Sequence, residues 1–477
     1  MPRPSDCIYC ALPAGSREHI FPAALGGRRM NRGILCASCN QGFSALDGHL
    51  AGQLQVLRGL LGVVPDRKKT PHPAAVPHDG QTLLIDGAGR PSFKDPVTLS
   101  DTPLKNGNRS VTTAFANEQQ IAAWRAEQMR LGRTVIEVSK RRVGRVMTEQ
   151  VAIELELGGP ETFREAARIA LNFLAHRFPD AARDAGLGPL KAYVLGTRTL
   201  AKGDPRPVWF LGDELAVPDS LLDCGHQVFL RLDREARSGY AVVRFFDAVE
   251  LVVDLGTVSP SETVVALFDI DPFAEHEPHD LFERVVVPES FPPSVALLKV
   301  GDEASARTGD AERLMRLFDR ISERQSRARA RALSEALERV RLSGTGDVPE
   351  AVAEVLRGHE GTIYRLIERI AADFSHRFAA QPAMQAHAAC LKALAAPDPA
   401  HETGLSREAR EAVEFARLEL ADEIAVELAS GPVPFDRLAA LLEGGEGAAI
   451  VARFLLAQIN DVIDRVAAAS AHANANP

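Results

Sequence analysis

Apolar residues recur at two different periods along this chain of 477 residues, and the change of period divides it into regions. Between residues 111 and 300, short apolar runs alternate with polar or glycine-containing turns, which favours an antiparallel α+β domain over repeated βαβ units. Apolar residues at helical spacing predict one helix in this region, over 161–185. Its strands are predicted at 134–138, 151–157, 192–195, 208–211, 227–232, 240–246, 250–254 and 263–268.

The last third of the chain has helical periodicity throughout. Residues 301–477 are rich in Ala, Leu, Glu and Arg, which are strong helix formers, and they predict an all-helical C-terminal domain. Its helices are predicted at 311–342, 348–379, 407–428 and 435–467. By contrast, residues 66–110 contain many prolines and glycines and one short apolar run at 82–85, so we interpret them as a linker with room for one hairpin.

The length exceeds what one hydrophobic core supports, so we expect a multidomain α+β protein. Its predicted segments are 1–65, 66–110, 111–300 and 301–477, and the helical segment is a candidate surface for homo-oligomer formation. No run approaches the roughly 20 apolar residues of a membrane span, and the first residues lack the apolar core of a signal peptide. A cytoplasmic location without a membrane partner is the resulting expectation.

Charge is distributed unevenly. Residues 1–70 hold nine Lys/Arg and four Asp/Glu, a local net charge of +5 in a chain whose total is −9, which leaves −14 for the remainder. A phosphate-binding surface requires such a local excess of positive charge, whereas the acidic total argues against a protein that is basic over its whole surface. If this chain binds nucleic acid, we expect the binding surface to lie in its N-terminal segment.

Four of the six cysteines lie in the first forty residues, as two Cys-x2-Cys pairs. Cys7 with Cys10 and Cys36 with Cys39 place four thiolates on two tight turns, the tetrahedral ligand set that structural zinc prefers. A segment this short buries little apolar surface, so bound zinc would contribute to its folding free energy directly. Taken alone, the cysteines leave open a zinc knuckle without any chemistry.

The residues between the two pairs favour chemistry. This part of the sequence resembles the HNH endonucleases, in particular the members that carry Cys-x2-Cys, Glu-His-Ile-x-Pro, Ala-Leu-Gly-Gly and Cys-x2-Cys-Asn. The resemblance covers residues 7–50, about a tenth of the chain. Its motifs here are Glu18-His19-Ile20-Phe21-Pro22, Ala24-Leu25-Gly26-Gly27 and Asn40 directly after Cys39.

The resemblance implies a ββα-metal unit with the two zinc knuckles at its ends. His19 takes the place of the general base, a role that imidazole suits because it titrates near neutral pH. Two residues take the places of ligands to the catalytic ion. They are Glu18, whose side chain points to the opposite side of the strand from His19, and Asn40, which stands where the family has its final His. Oxygen ligands favour Mg²⁺ or Mn²⁺ over zinc there. Asn31 takes the place of the middle Asn, which stabilises the loop and orients the base.

Further polar residues of this segment are candidates of lower specificity. A helix is predicted over 40–62, and on it Asp47 either completes the ion's ligand shell or lies on the surface, while His49 is interpreted as a surface residue. Arg28, Arg29 and Arg32 follow the Gly-Gly turn and either contact backbone phosphates through their forked donors or belong to an ordinary solvated loop.

The sequence therefore predicts a metal-dependent endonuclease with a structural Zn²⁺ and a second divalent ion, acting on nucleic acid and preferentially on double-stranded DNA. The alternative is a zinc finger that binds nucleic acid without cutting it. RNA stays open as a substrate because nothing in a ββα unit reads the sugar. Cleavage specificity and the role of residues 66–477 are not encoded in these motifs.

Overall fold

A computed structural model describes residues 6–10, 12–66, 70–78, 81–140, 153, 155–198, 200, 206–211, 222–274, 283–286, 303–344, 347–398, 401, 403–442 and 444–475. The chain forms two compact units. Unit 1 consists of Met1–Val76, Ile85–Arg90 and Ile153–Gln325, and unit 2 of Pro77–Leu84, Pro91–Ala152 and Ser326–Pro477. The N-terminal cysteine segment and the central strands therefore belong to the same unit.

Unit 1 begins with two short strands and three helices. They are β1 (Glu18–His19), β2 (Met30–Asn31), α1 (Ala37–Gly42), α2 (Ser44–Gln53) and α3 (Gln55–Leu61). The sequence predicted one helix over 40–62; instead, helical structure starts at Ala37 and is divided at Phe43 and Leu54. Cys36 caps α1 because its sulfur accepts a hydrogen bond from the backbone N–H of Cys39, which places the start of the helix before Asn40.

Six antiparallel strands form the central sheet of unit 1: β8 (Val208–Phe210), β9 (His226–Asp233), β10 (Ser238–Phe245), β11 (Val249–Thr257), β12 (Val264–Ile270) and β13 (Glu283–Val286). Their order in the sheet is β13-β12-β9-β10-β11-β8. Residues on both faces of β9, β10 and β12 are buried, which explains their nearly continuous apolar sequence. The five strands predicted over 208–268 correspond to β8–β12.

Helix α5 (Pro160–Arg177) packs against this sheet, where Phe173 stacks on Phe268 of β12 with 5.6 Å between ring centroids. Pro160 stands at the first helical position, where its missing N–H costs nothing, and Arg177 lies in the last turn, where positive charge complements the helix dipole. The helix also contacts α2. It thus lies between the sheet and the N-terminal segment, and twelve of its 18 residues are buried.

Two predicted strands are wrong, and a third is not formed in the residues of it that the structure describes. Residues 192–195 end a helix, α6 (Gly188–Leu195), because Pro189 starts it and Gly196 caps it in the left-handed conformation. A short apolar run cannot by itself distinguish a strand from a buried helix. Residues 134–138 are outside helices and strands, and so are residues 153 and 155–157 of the strand predicted at 151–157, whose other positions lie outside the described residues.

Five strands and a helix lie within the described residues of 70–130, and four of the strands lie within the segment 66–110 that was interpreted as a linker with room for one hairpin. They are β3 (Ala74–His78), β4 (Gln81–Ile85), β5 (Pro91–Phe93), β6 (Val97–Pro103), β7 (Arg109–Ala114) and α4 (Glu118–Arg130). Strands β3, β4 and β5 form one sheet and β6 pairs with β7. Prolines mark the start of β5 and the end of β6, positions at which a missing N–H is tolerated, so they do not exclude strands.

The predicted C-terminal helices are helical in the structure, but those predicted over 348–379 and 435–467 are each divided into two, and a further helix, Gln385–Leu394, lies outside the predicted helices. They are α7 (Glu303–Ser343), α8 (Val348–Arg357), α9 (Glu360–Ala379), α10 (Gln385–Leu394), α11 (Arg407–Ser430), α12 (Phe435–Leu442) and α13 (Gly445–Ala475). Mainly leucine, isoleucine, valine and alanine side chains from α7–α13 form the core of unit 2. In the part of the chain that the structure describes, no helix has the length and apolar character of a membrane span.

Candidate functional site

The two Cys-x2-Cys turns bring four sulfur atoms together. The sulfurs of Cys7, Cys10, Cys36 and Cys39 all lie within 4.8 Å of one another, with Cys10 at 3.5 Å from Cys36 and 3.6 Å from Cys39. Tetrahedral zinc with Zn–S bonds of about 2.3 Å places its sulfurs about 3.8 Å apart, so this spacing fits the ion. The N–H of Cys39 lowers the pKa of the Cys36 thiol to about 7, whereas burial raises the pKa of the Cys39 thiol, so without an ion the thiolate is favoured at Cys36.

A short antiparallel pair presents the central motif, with Glu18 opposite Asn31 and His19 opposite Met30. The loop between the strands needs both of its glycines. Gly26 has a φ of +93°, and a Cβ on Gly27 would lie 2.1 Å from the carbonyl oxygen of Phe21. Because successive side chains of a strand point to opposite faces, Glu18 and His19 have different surroundings.

Glu18 is 4% exposed and faces a polar stripe of α5. The guanidinium of Arg168, itself 2% exposed, donates to Glu18 Oε1 and to Asp47 Oδ1, and it binds both carboxylate oxygens of Glu165 at 2.6 and 2.8 Å. Asn172 Nδ2 donates to Glu18 Oε1 at 2.9 Å. One buried cation thus binds three carboxylates, two of them from residues predicted as ligands of the catalytic ion.

Burial and the excess of carboxylates shape the electrostatics of this cluster. Burial raises the pKa of Glu18, an effect that Arg168 opposes in part, and it raises the pKa of Glu165 to about 8. For Arg168, burial lowers the pKa, but its three carboxylate partners outweigh burial and raise it above the ordinary value. The cluster therefore favours groups that carry or take up positive charge over further ionised carboxylates.

The predicted ion ligands each keep an oxygen without a hydrogen bond from the described residues. Arg168 and Asn172 both bind Oε1 of Glu18, which leaves Oε2. Asn40 Nδ2 donates to Ser16 Oγ at 2.6 Å and to the Arg17 carbonyl at 3.3 Å, which leaves Oδ1. A carboxylate oxygen and an amide oxygen are the donors that a hard divalent ion takes, so the chemistry of this pair fits Mg²⁺ or Mn²⁺.

Asp47 is joined to Glu18 through Arg168 and has a side chain that is 37% exposed. Among the described residues, the four cysteines are the one group of three or more His, Cys, Asp or Glu whose ligand atoms lie within 4.8 Å of one another. Asp47 and Glu18 are therefore bridged by a guanidinium and do not form a second compact cluster of that kind. That Asp47 completes the ligand shell of an ion stays a prediction.

His19 lies on the other side of β1 and is 11% exposed. Its Nε2 is 3.0 Å from Asp66 Oδ2, and Asp66 Oδ1 accepts from Arg28 at 3.3 Å. No hydrogen bond from the described residues reaches His19 Nδ1, which is therefore the ring atom available to a substrate or water. The sequence placed Asp66 at the start of a linker and assigned it no role.

The remaining predicted residues differ in their surroundings. Asn31 accepts from the N–H of Gly33 at 2.7 Å and its Nδ2 lies 2.9 Å from His176 Nδ1, so it joins β2 to the end of α5. Arg29 lies 6.0 Å from the centre of the Phe268 ring and Arg32 is exposed.

Arg28 does not point to solvent, as a phosphate contact would. Besides Asp66, its donors reach the carbonyls of Val64 at 3.3 Å and Ala274 at 2.5 Å, and its side chain is largely buried. It therefore holds the segment after α3 and the turn after β12 within unit 1.

The polar stripe of α5 was not predicted, although the sequence contains a signal for it. Glu165, Arg168, Asn172 and His176 recur at spacings of three, four and four residues, which places them on one face of the helix. They interrupt an otherwise apolar run, and buried polar side chains in such a helix must have partners. That pattern was the available signal, although it does not name the partners.

Residues 7–55 match a family model described as HNH endonuclease. The match includes the four cysteines, β1, β2, α1 and α2, and it agrees with the resemblance found from the motifs. Asp66 and the stripe of α5 lie beyond it. No curated protein and no solved structure shows significant similarity to the chain.

Proposed function

Starting from the HNH match over residues 7–55, we propose that this protein is a metal-dependent endonuclease that hydrolyses phosphodiester bonds, with double-stranded DNA as its substrate. The observation that carries the proposal is the placement of two neighbouring side chains on β1. Glu18 is fixed by Arg168 and Asn172 with one oxygen left over, and His19 is fixed through Nε2 with Nδ1 left over. Hydrolysis needs an anchored anionic ligand and a base with a free lone pair.

His19 is the general base of the proposed reaction. Its Nδ1 takes a proton from a water molecule while the water oxygen forms a bond to phosphorus. The bond from phosphorus to the leaving oxygen breaks with its electron pair, and that oxygen takes a proton from solvent water. A positioned general base contributes roughly 10²- to 10⁴-fold to such a rate. The family resemblance implies 5′-phosphate and 3′-hydroxyl ends. Asn31 keeps the turn after β2 in place through Gly33.

Glu18 and Asn40 are the residues we assign to the divalent ion, with Asp47 as a further carboxylate. When bound, Mg²⁺ or Mn²⁺ supplies positive charge to the scissile phosphate and to the leaving oxygen. Arg168 and Asn172 keep the Glu18 carboxylate in one orientation, and Ser16 with the Arg17 carbonyl keep the Asn40 amide in one orientation. Such contacts behind the ligands fix their direction before an ion arrives.

Among the three predicted phosphate contacts, Arg32 is the one we retain as the main contact because it is exposed and follows β2 directly. Arg29 is half-buried beside Phe268 and takes a secondary place. Arg28 is assigned to the interior of the fold instead, since Asp66 and two backbone carbonyls occupy its donors.

The test is cleavage of a supercoiled plasmid, and in parallel of an RNA of matched sequence, by the full-length protein with Mg²⁺ or Mn²⁺. We expect nicking or linearisation of the plasmid, its loss on chelation of the divalent ion, and a loss of at least roughly 100-fold in His19→Ala. Glu18→Gln keeps an oxygen for Arg168 but removes the charge. It is expected to lower activity because the divalent ion binds more weakly.

His49→Ala is the matched control, because His49 is an exposed histidine on α2 of the same segment and has no assigned role. It should cleave like the wild type. Plasmid binding without cleavage under either ion, or cleavage that persists in His19→Ala, contradicts the proposal. Cleavage confined to the RNA would support the nuclease activity and contradict double-stranded DNA as the substrate.

A further inference from the structure

Three side chains in a row connect β1 to the segment after α3. His19 Nε2 lies 3.0 Å from Asp66 Oδ2, and Asp66 Oδ1 lies 3.3 Å from Arg28 Nη1. We propose that Asp66, outside the matched residues 7–55, is the positioning residue that sets the tautomer and direction of the His19 ring. This inference rests on the proposed function, in which His19 is the base.

The tautomer follows from hydrogen-bonding capacity. An ionised carboxylate only accepts hydrogen bonds, so in neutral His19 the proton must be on Nε2, facing Asp66. The lone pair is then on Nδ1, the ring atom to which no described residue forms a hydrogen bond. A base with its lone pair directed at Asp66 instead would be unable to take a proton from water, so the carboxylate selects the competent form.

Asp66 is itself held at several points. Its N–H donates to the Ala23 carbonyl at 3.2 Å, in the turn between β1 and β2. Arg28 reaches Asp66 while its other donors bind the carbonyls of Val64 and Ala274. The carboxylate therefore has one oxygen directed at Arg28 and one at His19, and a rotation of the group would break both contacts.

This arrangement predicts how two substitutions of Asp66 rank in their effect on catalysis. In Asp66→Asn, Arg28 requires the amide oxygen on its own side, because a guanidinium only donates. The amide NH₂ then faces His19 Nε2 and donates to it, which moves the ring proton to Nδ1 and blocks the base. In Asp66→Ala the ring is free to adopt either tautomer. Asparagine, although closer in shape, should therefore impair catalysis at least as much as alanine.

The experiment measures kcat and KM for plasmid nicking by the full-length wild type, Asp66→Asn, Asp66→Ala, Asp66→Glu and the double variant His19→Ala/Asp66→Asn. We expect kcat to fall roughly 10²- to 10⁴-fold in Asp66→Asn with little change in KM, a smaller fall in Asp66→Ala, and partial recovery in Asp66→Glu. The double variant should be no slower than His19→Ala, because Asp66 acts through His19.

Nitrogen NMR of protein labelled with ¹⁵N-histidine gives a readout that does not depend on activity. The His19 ring signals, assigned by their loss in His19→Ala, should report a proton on Nε2 in the wild type and on Nδ1 in Asp66→Asn. Asp86→Asn is the matched control, because Asp86 also binds an arginine, Arg90, but lies exposed in a turn. Zinc content of each variant checks that the N-terminal segment is folded.

An unchanged His19 tautomer in Asp66→Asn, or an asparagine variant that is clearly more active than the alanine variant, overturns the proposal. The second result would indicate a purely structural ion pair, in which shape matters more than protonation. A wild type that cuts neither plasmid nor RNA overturns the proposed function instead, and the ring signals then still decide whether Asp66 sets the tautomer of His19.

Discussion

The guanidinium of Arg168 on α5 forms an ion pair with the carboxylate of Glu18 on β1, and both side chains are almost completely buried. The two residues are 150 positions apart. Through this pair, the helix that packs on the central sheet contacts the residue next to His19. The matched HNH segment is thus completed by side chains from a later part of the chain.

Loss of this cation should destabilise unit 1 strongly. In Arg168→Met, the carboxylates of Glu18, Glu165 and Asp47 lose their shared partner, and removing one member of a buried ion pair costs about 3–5 kcal/mol. The measurement is urea unfolding followed by the fluorescence of Trp209, in a Trp124→Phe background. Trp209 lies on β8 of the central sheet, so the remaining tryptophan reports on unit 1.

Arg90→Ala supplies the comparison. Arg90 pairs with Asp86 in an exposed turn of the same unit, and exposed pairs contribute about 0–1 kcal/mol. Equal destabilisation by the two substitutions would mean that the Arg168 cluster does not hold unit 1 together.

Zinc should be required for the N-terminal segment. We expect one zinc per chain in the wild type and its loss in Cys10→Ser or Cys39→Ser, since each removes one of four converging sulfurs. Metal release on thiol modification, measured with a colorimetric chelator, gives the stoichiometry. The N-terminal segment should at the same time become sensitive to protease, because metal binding and folding are coupled there.

Cys390→Ser is the control for thiol chemistry as such, because Cys390 lies on α10 far from the other cysteines in sequence. It should keep the full zinc content. Wild-type protein that holds no zinc after purification in its presence would contradict the assignment of the four sulfurs as a metal site.

Local spacing explains why the cysteine knuckles and the β1–β2 pair could be predicted. Cys-x2-Cys restricts each turn, and the motif from Glu18 to Pro22 needs a strand followed by a sharp turn. The central strands could be predicted because β9, β10 and β12 are apolar along their length. Residues 192–195 have the same apolar character, and only the flanking Pro189 and Gly196 distinguish the helix.

Contacts between distant residues could not be predicted from one sequence. Asp66 looks like any acid at the start of a proline-rich stretch, and only the folded chain places it beside His19. Arg28 follows a Gly-Gly turn, as a phosphate-binding arginine would, yet its donors meet Asp66, Val64 and Ala274. In both cases the sequence alone left the partner of the side chain undetermined.

His226 gives a prediction about pH. It is fully buried on β9, where Nε2 donates to the Leu25 carbonyl at 3.0 Å and Nδ1 accepts from the N–H of Phe246 at 3.2 Å. Burial lowers its pKa from the usual 6.5 to about 3. Below pH 6.5, His226 therefore binds a proton in the unfolded chain but not in the folded chain. The free energy of unfolding falls by about 1.4 kcal/mol per pH unit until the pKa of His226 in the folded protein is reached.

His226→Gln keeps a donor and an acceptor but removes this titration. At pH 7 the variant should be less stable than the wild type, because glutamine fits the ring-shaped space between Phe21 and Phe246 poorly. As the pH falls from 6.5 to 4, the gap in unfolding free energy should close by about 1.4 kcal/mol per unit. Urea titrations with Trp209 as the probe, at intervals of half a pH unit, measure it.

Loss of zinc at low pH cancels in this comparison, since both proteins carry the same cysteines. His49→Gln, a substitution of an exposed histidine, should show a gap from the wild type that does not change with pH. A constant gap for His226→Gln as well would mean that His226 takes up its proton in the folded protein. In that case, the loop that carries Leu25 must open from the sheet at mildly acidic pH, because protonation of the buried ring requires access to solvent.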